Sequence, residues 1–194
     1  MTMPRLTLKK NIEASIIAKR EFAADDESMQ SFDKAVEHVI RCYRAGGRLY
    51  IAGNGGSAAD AQHLAAEFVS KLAKDRNSLP AEALTVDSSI LTAIGNDYGF
   101  ENIFSRQLAG KLRLNDVFLG ITTSGKSPNI LRALDQCRAL NVKSIVFTGH
   151  DGGKVKDVAD FCIVAKGLAT STIQELHIVL AHTLCECVEA EMFG

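Results

Sequence analysis

Apolar residues recur at helical intervals through the first part of the chain: Leu8, Ile12 and Ile16, then Phe32, Val36, Val39, Ile40 and Tyr43. The acidic break Ala24-Asp25-Asp26-Glu27-Ser28 divides this pattern, predicting two helices between residue 6 and about residue 45. Ala45-Gly46-Gly47 ends the second. A helix so far ahead of the first strand has little core of its own to cover, so its apolar stripe is expected to pack on another subunit. From residue 48 short apolar runs alternate with helical patterns. Strands are predicted over Arg48–Ala52, Glu82–Val86, Asp116–Thr122, Ser144–Thr148 and Phe161–Ala165. Helices are predicted over Ser57–Ala73, Ser88–Ile94, Phe100–Leu112, Pro128–Leu140 and Thr172–Phe193, with a short one near Lys154–Val158.

Runs such as Val117-Phe118-Leu119-Gly120-Ile121 and Ile145-Val146-Phe147 are apolar on both faces, as strands are when helices cover both sides of a sheet. The alternation predicts a parallel sheet in a single α/β domain over residues 46–194. Residues 1–45 form a helical extension expected to pack on neighbouring subunits.

Composition removes several functions. The 194 residues carry 22 Lys plus Arg against 23 Asp plus Glu, a formal charge of −1, which offers no basic face to nucleic acid or an anionic membrane. Cys42, Cys137, Cys162, Cys185 and Cys187 are odd in number and lack C-x-x-C or finger-like spacing. No signal-peptide segment and no run of about 18 apolar residues is present, so the expectation is a cytoplasmic chain without a membrane partner.

In an open α/β sheet, ligands bind beyond the carboxyl ends of the strands. The first strand runs into Gly53-Asn54-Gly55-Gly56-Ser57. There glycines admit a ligand to the backbone, and Ser57 is expected both to cap the next helix and to face an anion. A tight strand-to-helix turn accounts for the same residues, which match neither a Walker loop nor G-x-G-x-x-G. The third strand ends in Thr122-Thr123-Ser124-Gly125-Lys126-Ser127-Pro128-Asn129, where four hydroxyls precede a proline suited to the first helical position. That describes an anion nest at a helix N-terminus, needing few basic residues. Gly95-Asn96-Asp97-Tyr98-Gly99 reads as a turn, or as hydrogen-bonding groups for a polyol if Asn96 and Asp97 face the cleft. Thr148-Gly149-His150-Asp151-Gly152-Gly153 reads as turn chemistry.

His63 and Glu67, four residues apart on the helix after the glycine loop, project from one face. They suit one divalent metal, a proton donor–acceptor pair, or a plain surface contact. The last helix carries Gln174, Glu175, His177 and His182. His177 and His182 do not share a face and, taken singly, each reads as a helix histidine with its hydrogen bonds satisfied. Gln174 and His182 lie about 12 Å apart along an ideal helix. They meet at one ion only by reaching toward each other or by coming from different subunits.

The ordered motifs Gly53-Asn54-Gly55-Gly56-Ser57-Ala58-Ala59-Asp60-Ala61-Gln62-His63, Ala93-Ile94-Gly95-Asn96-Asp97-Tyr98-Gly99, Phe104-Ser105-Arg106-Gln107, Thr123-Ser124-Gly125-Lys126-Ser127-Pro128-Asn129 and Ile173-Gln174-Glu175-Leu176-His177 resemble those of the phosphoheptose isomerase family. That family belongs to the sugar isomerase (SIS) domain superfamily, and the resemblance covers nearly the whole chain from about residue 45. It implies a doubly wound five-stranded parallel sheet and a homotetramer with active sites between subunits. The implied reaction converts D-sedoheptulose 7-phosphate to D-glycero-D-manno-heptose 7-phosphate, the first step toward heptose for lipopolysaccharide. By this resemblance one zinc per subunit is held by His63, Glu67, Gln174 and His182. The implied substrate contacts are Asn54, Gly55, Gly56, Ser57, Glu67, Asn96, Asp97, Thr122, Thr123, Ser124, Ser127 and Gln174. Glu67 is the implied base and His182 its acid–base partner.

Lys71, Ala169 and Thr172 depart from residues common in that family and bear on substrate preference. An alternative is a non-catalytic regulator of the same superfamily that binds the replication initiator protein. Such a regulator lacks the glutamate and second histidine that this chain has at Glu67 and His182.

Overall fold

The computed structural model describes residues 3–167 and 169–194. Two helices, α1 (Pro4–Ala23) and α2 (Asp26–Arg44), precede β1 (Leu49–Gly53), α3 (Gly56–Val69), β2 (Ala81–Ala83) and α4 (Ser88–Tyr98). A 3-10 turn at Phe100–Asn102 leads into α5 (Ser105–Lys111), β3 (Val117–Thr122), α6 (Pro128–Ala139) and β4 (Lys143–Gly149). A second 3-10 turn, Gly153–Asp157, precedes β5 (Phe161–Ala165) and α7 (Thr170–Phe193).

All strand pairs are parallel, in the order β2-β1-β3-β4-β5. The strands alternate their side chains between two cores. Leu49, Ile51, Val117, Leu119, Ile121, Ile145, Phe147 and Ile163 meet α1, α2, α3 and α7 on one face. Tyr50, Ala52, Phe118 and Val146 meet α5 and α6 on the other. This is the doubly wound arrangement, and the order in which strands are added across the sheet reverses between β1 and β3. The loops leaving those two strands therefore diverge and open a crevice at the carboxyl edge.

Local chemistry moves several boundaries. α3 stops at Val69 instead of continuing to residue 73, because the carbonyls of Glu67 and Phe68 and the N–H groups of Leu72 and Ala73 bond to side chains from elsewhere. β2 ends at Ala83, short of the expected Val86. Asp87 caps α4 there by accepting the Ile90 N–H at 2.9 Å. α4 then runs on through Gly95, Asn96 and Asp97, which are helical and not a turn. The expected helix Phe100–Leu112 is split at Ile103-Phe104, both of which are buried.

The second helix is seated on the sheet through Phe32, Val36, Val39, Cys42 and Tyr43. α1 buries only Ser15, Ala18 and Phe22, and leaves Leu6, Leu8, Ile12, Ile16 and Ile17 exposed. Cys42, Cys137 and Cys185 are buried free thiols, which desolvation pushes up to about 12. No described helix is long and apolar enough to cross a membrane.

His177 pins α7 to the carboxyl end of β4. Its ring is fully buried, and Nε2 donates to the Thr148 carbonyl at 3.0 Å as the neutral tautomer requires. Burial lowers the imidazole to about 4, against the smaller opposing effect of that hydrogen bond. The unfolded chain takes up this proton first, near the ordinary value of about 6.5. Stability is therefore lost as pH falls from there toward 4, by about 3 kcal/mol from this group alone. His177→Gln is expected to flatten the fall in unfolding free energy between about pH 7 and pH 4. Urea titrations at both pH values check this, and parallel losses in variant and parent would contradict it.

Candidate active site

The crevice is braced before any ligand enters it. Asn54, in the loop after β1, and Asn129, in the first turn of α6, exchange two amide hydrogen bonds of 2.9 and 2.8 Å across it. Asn129 is buried, while Asn54 is half-buried with part of its amide already committed to the brace. Gly55 caps α3 at φ +56°, a conformation that favours glycine. Ser57 does not cap the helix as expected. It lies inside the first turn, buried, with its N–H bonded to the Asn54 carbonyl at 3.0 Å. The turn at Gly55 places the cap two residues before the serine.

On the opposite bank the Thr122 and Ser127 hydroxyls lie 2.9 Å apart, and Ser124 Oγ accepts the Lys126 N–H at 3.2 Å. Pro128 opens α6 as predicted, and Thr123 and Ser124 are accessible. The crevice thus presents hydroxyls and two helix N-termini, a setting for an anion without a basic cluster. Asn96 and Asp97 stand exposed on the last turn of α4, with Asn96 Nδ2 donating to Asp97 Oδ1 at 2.7 Å.

One chain brings His63, Glu67 and His182 together. His63 Nε2 lies 2.9 Å from Glu67 Oε1 and 3.2 Å from His182 Nε2, and His182 Nε2 lies 3.2 Å from the same Glu67 oxygen. These three atoms make a triangle whose sides match the edges, about 3.3 Å, of a tetrahedron built from zinc bonds of about 2.0–2.1 Å. Glu67 Oε2 is buried without a partner. Two imidazole nitrogens, a carboxylate oxygen and a second, unpaired carboxylate oxygen form a donor set that can hold one divalent metal ion.

Gln174 is not part of that triangle. Its side chain lies over Gly56, where an added Cβ would meet Nε2 at 2.2 Å. α3 and α7 accordingly run side by side, Gly56 matched with Gln174 and His63 with His182. Asp60, one turn before His63 on α3, is a carboxylate that the sequence reading assigned no role. Its Oδ2 is buried without a partner, and desolvation raises it above the usual carboxylate range despite the nearby His63. The spacing Asp60, His63, Glu67 on one helical stripe was the available signal.

The SIS domain family matches residues 14–149. The phosphoheptose isomerase of Aneurinibacillus thermoaerophilus is 46% identical over 186 residues, covering 96% of this chain and 94% of that protein. The chain belongs to the phosphoheptose isomerase family. Two solved structures from that family share its shape. The phosphoheptose isomerase of Neisseria gonorrhoeae matches with a TM-score of 0.90 and 38% identity over 97% of this chain and all of that one. The enzyme from Francisella tularensis matches with a TM-score of 0.89 and 33% identity over the same shares.

Lys71 points to solvent beside Asp75 at 3.5 Å. Ala169 caps α7, and Thr172 is buried in its first turn.

Proposed function

We propose that this chain is an aldose–ketose isomerase converting D-sedoheptulose 7-phosphate to D-glycero-D-manno-heptose 7-phosphate. The observation that carries the reading is the convergence of His63, Glu67 and His182 beside a hydroxyl-lined crevice, in a member of the phosphoheptose isomerase family. The reaction moves one proton from C1 to C2 of the sugar and another from the C1 oxygen to the C2 oxygen, through an enediol.

Glu67 has the two oxygens this requires. Oε1 is held by both histidines, and Oε2, buried and unpaired, is free to take the C1 proton and return it at C2. His182 transfers the proton between the two sugar oxygens when its Nε2 is not bound to metal, with His63 across from it. His63, Glu67 and His182 would hold zinc, and Gln174 joins them only by leaving Gly56 or by reaching the cluster of another subunit. When bound, the metal polarises the sugar carbonyl and offsets the negative charge that develops on its oxygen. Thr122, Thr123, Ser124, Ser127 and Ser57, with the N–H groups of Gly55 and Gly56, bind the phosphate, and Asn54, Asn96 and Asp97 bind sugar hydroxyls. The same reading makes the protein a cytoplasmic homotetramer supplying heptose precursors. The exposed apolar row of α1 supports the association between subunits.

Purified protein is expected to isomerise sedoheptulose 7-phosphate, to lose turnover on chelation and to regain it with added zinc. Absence of turnover in the zinc-loaded protein, together with binding to the replication initiator protein, would overturn the reading in favour of the regulator.

A further inference from the structure

Glu67 lies in the last turn of α3, where helical carbonyls lose their partners within the helix. A side chain from beyond the helix takes them. Arg76 Nη2 donates to the Glu67 carbonyl at 2.9 Å, and Nη1 to those of Phe68 at 2.8 Å and Asn77 at 3.0 Å. Its Nε donates to Glu189 Oε1, on α7, at 2.8 Å. Glu189 also accepts the N–H groups of Leu72, Ala73 and Lys74 at 2.9, 3.3 and 3.5 Å. The two side chains are 1% and 3% exposed. These N–H bonds and Arg76 hold the Glu189 carboxyl below the usual range against the cost of its burial.

A fully buried ion pair is a poor way to gain stability, because apolar residues of similar volume commonly serve as well. What an apolar pair cannot supply is direction. The apolar residues that α3 and α7 contribute to their shared core are Ala61, Leu64, Ala65 and Phe68 with Leu180, Ala181, Leu184 and Val188. Such a surface resists separation more than it resists sliding. The Arg76–Glu189 pair adds charge-assisted bonds of fixed geometry one turn beyond His63 and two turns beyond His182. It ties the backbone of Glu67 itself to α7.

We infer that Arg76 and Glu189 are positioning residues for the His63–Glu67–His182 cluster, fixing the axial register of α3 against α7 at which the three ligand atoms converge. The inference rests on the reading of that cluster as a metal site. Neither residue touches metal or substrate. Their effect reaches the cluster through the Glu67 carbonyl and the helix ends.

The test is zinc affinity, measured at equilibrium by competition with a chromophoric chelator. The proteins are the parent, the double variant R76M/E189L, Arg76→Lys and His63→Ala. The double variant removes both charges, so no unpaired ion is left buried, and circular dichroism and urea unfolding should show it folded. Its zinc Kd is expected to rise about tenfold to a hundredfold, the range seen when groups that orient metal ligands are removed. Arg76→Lys keeps the charge but lacks the planar fork that reaches three carbonyls and a carboxylate at once, so it should also weaken zinc binding. This variant decides the matter if the double variant does not fold. Parent-like zinc affinity in a folded variant overturns the inference. A parent that binds zinc no better than His63→Ala overturns the metal-site reading instead.

Discussion

Glu67→Gln is expected to lower turnover of sedoheptulose 7-phosphate by about 10²–10⁴-fold while leaving the fold intact. The amide has the shape of the carboxylate, and its oxygen can still accept from His63 or His182, so the local packing survives. It cannot accept a proton from carbon at neutral pH. The loss should therefore fall on kcat, with KM little changed, since the loops after β1 and β3, proposed to bind the phosphate, are untouched. Steady-state kinetics on the zinc-loaded variant, with a urea titration as the control for folding, check this. Full turnover with an intact cluster would falsify the assignment of Glu67 as the base.

Gly125→Ala is expected to have the largest effect on stability, a loss of about 2–5 kcal/mol from a left-handed alanine and an overpacked contact together. Gly125 sits at φ +62°, and an added Cβ would lie 2.1 Å from the Gly152 carbonyl oxygen and 2.7 Å from its carbon. Gly153 is locked the other way, its ideal Cβ 2.6 Å from the Ser124 carbonyl. The loop after β3 and the turn after β4 thus interlock backbone to backbone, and no rotamer change relieves the clash. Substrate affinity should fall with stability, because Thr123, Ser124 and Ser127 belong to the loop that moves. Gly56→Ala is the contrast. Its Cβ meets the far end of the flexible Gln174 side chain, so a midpoint of urea unfolding close to the parent's is expected. A Gly125→Ala midpoint equally close to the parent's would contradict the interlock.

β1, β3, β4 and β5 were legible because each is a compact run rich in β-branched and aromatic residues, and β5 matches its expected bounds residue for residue, whereas β2, Ala81-Glu82-Ala83, has neither kind of residue and shares only Glu82 and Ala83 with its expected range. Helix ends were less so, for reasons that lie far off in sequence. α3 stops early because Arg76 and Glu189, 113 residues apart, take over its last carbonyls and the following N–H groups. α4 runs through Asn96 and Asp97 because Asp87 starts it and Gly99, at φ +87°, ends it. Ser57 looked like a cap, but Gly55, two residues before it, adopts a conformation that starts the helix sooner. At the site, the four-residue spacing of His63 and Glu67 was visible on one helix. The meeting with His182 was not, since it depends on α7 lying parallel to α3. The Asn54–Asn129 brace was hidden for the same reason: periodicity describes one element at a time, and both are contacts between elements.

The side-by-side placement of α3 and α7 also fixes when the cluster comes into being. Residues 63 and 67 are made more than a hundred residues before residue 182. Between them the chain must thread four of the five strands, and the pairing of β1 with β3 joins segments 68 residues apart. Parallel sheets of such long-range contacts assemble slowly. No partial product of synthesis that lacks α7 possesses the triangle of ligand atoms. Unlike a small domain that folds around its ion, this chain must finish its sheet before it has a place to put one. If the cluster is the metal site proposed above, ion capture follows folding, and a shortage of metal would leave a folded, empty-handed protein instead of an unfolded one.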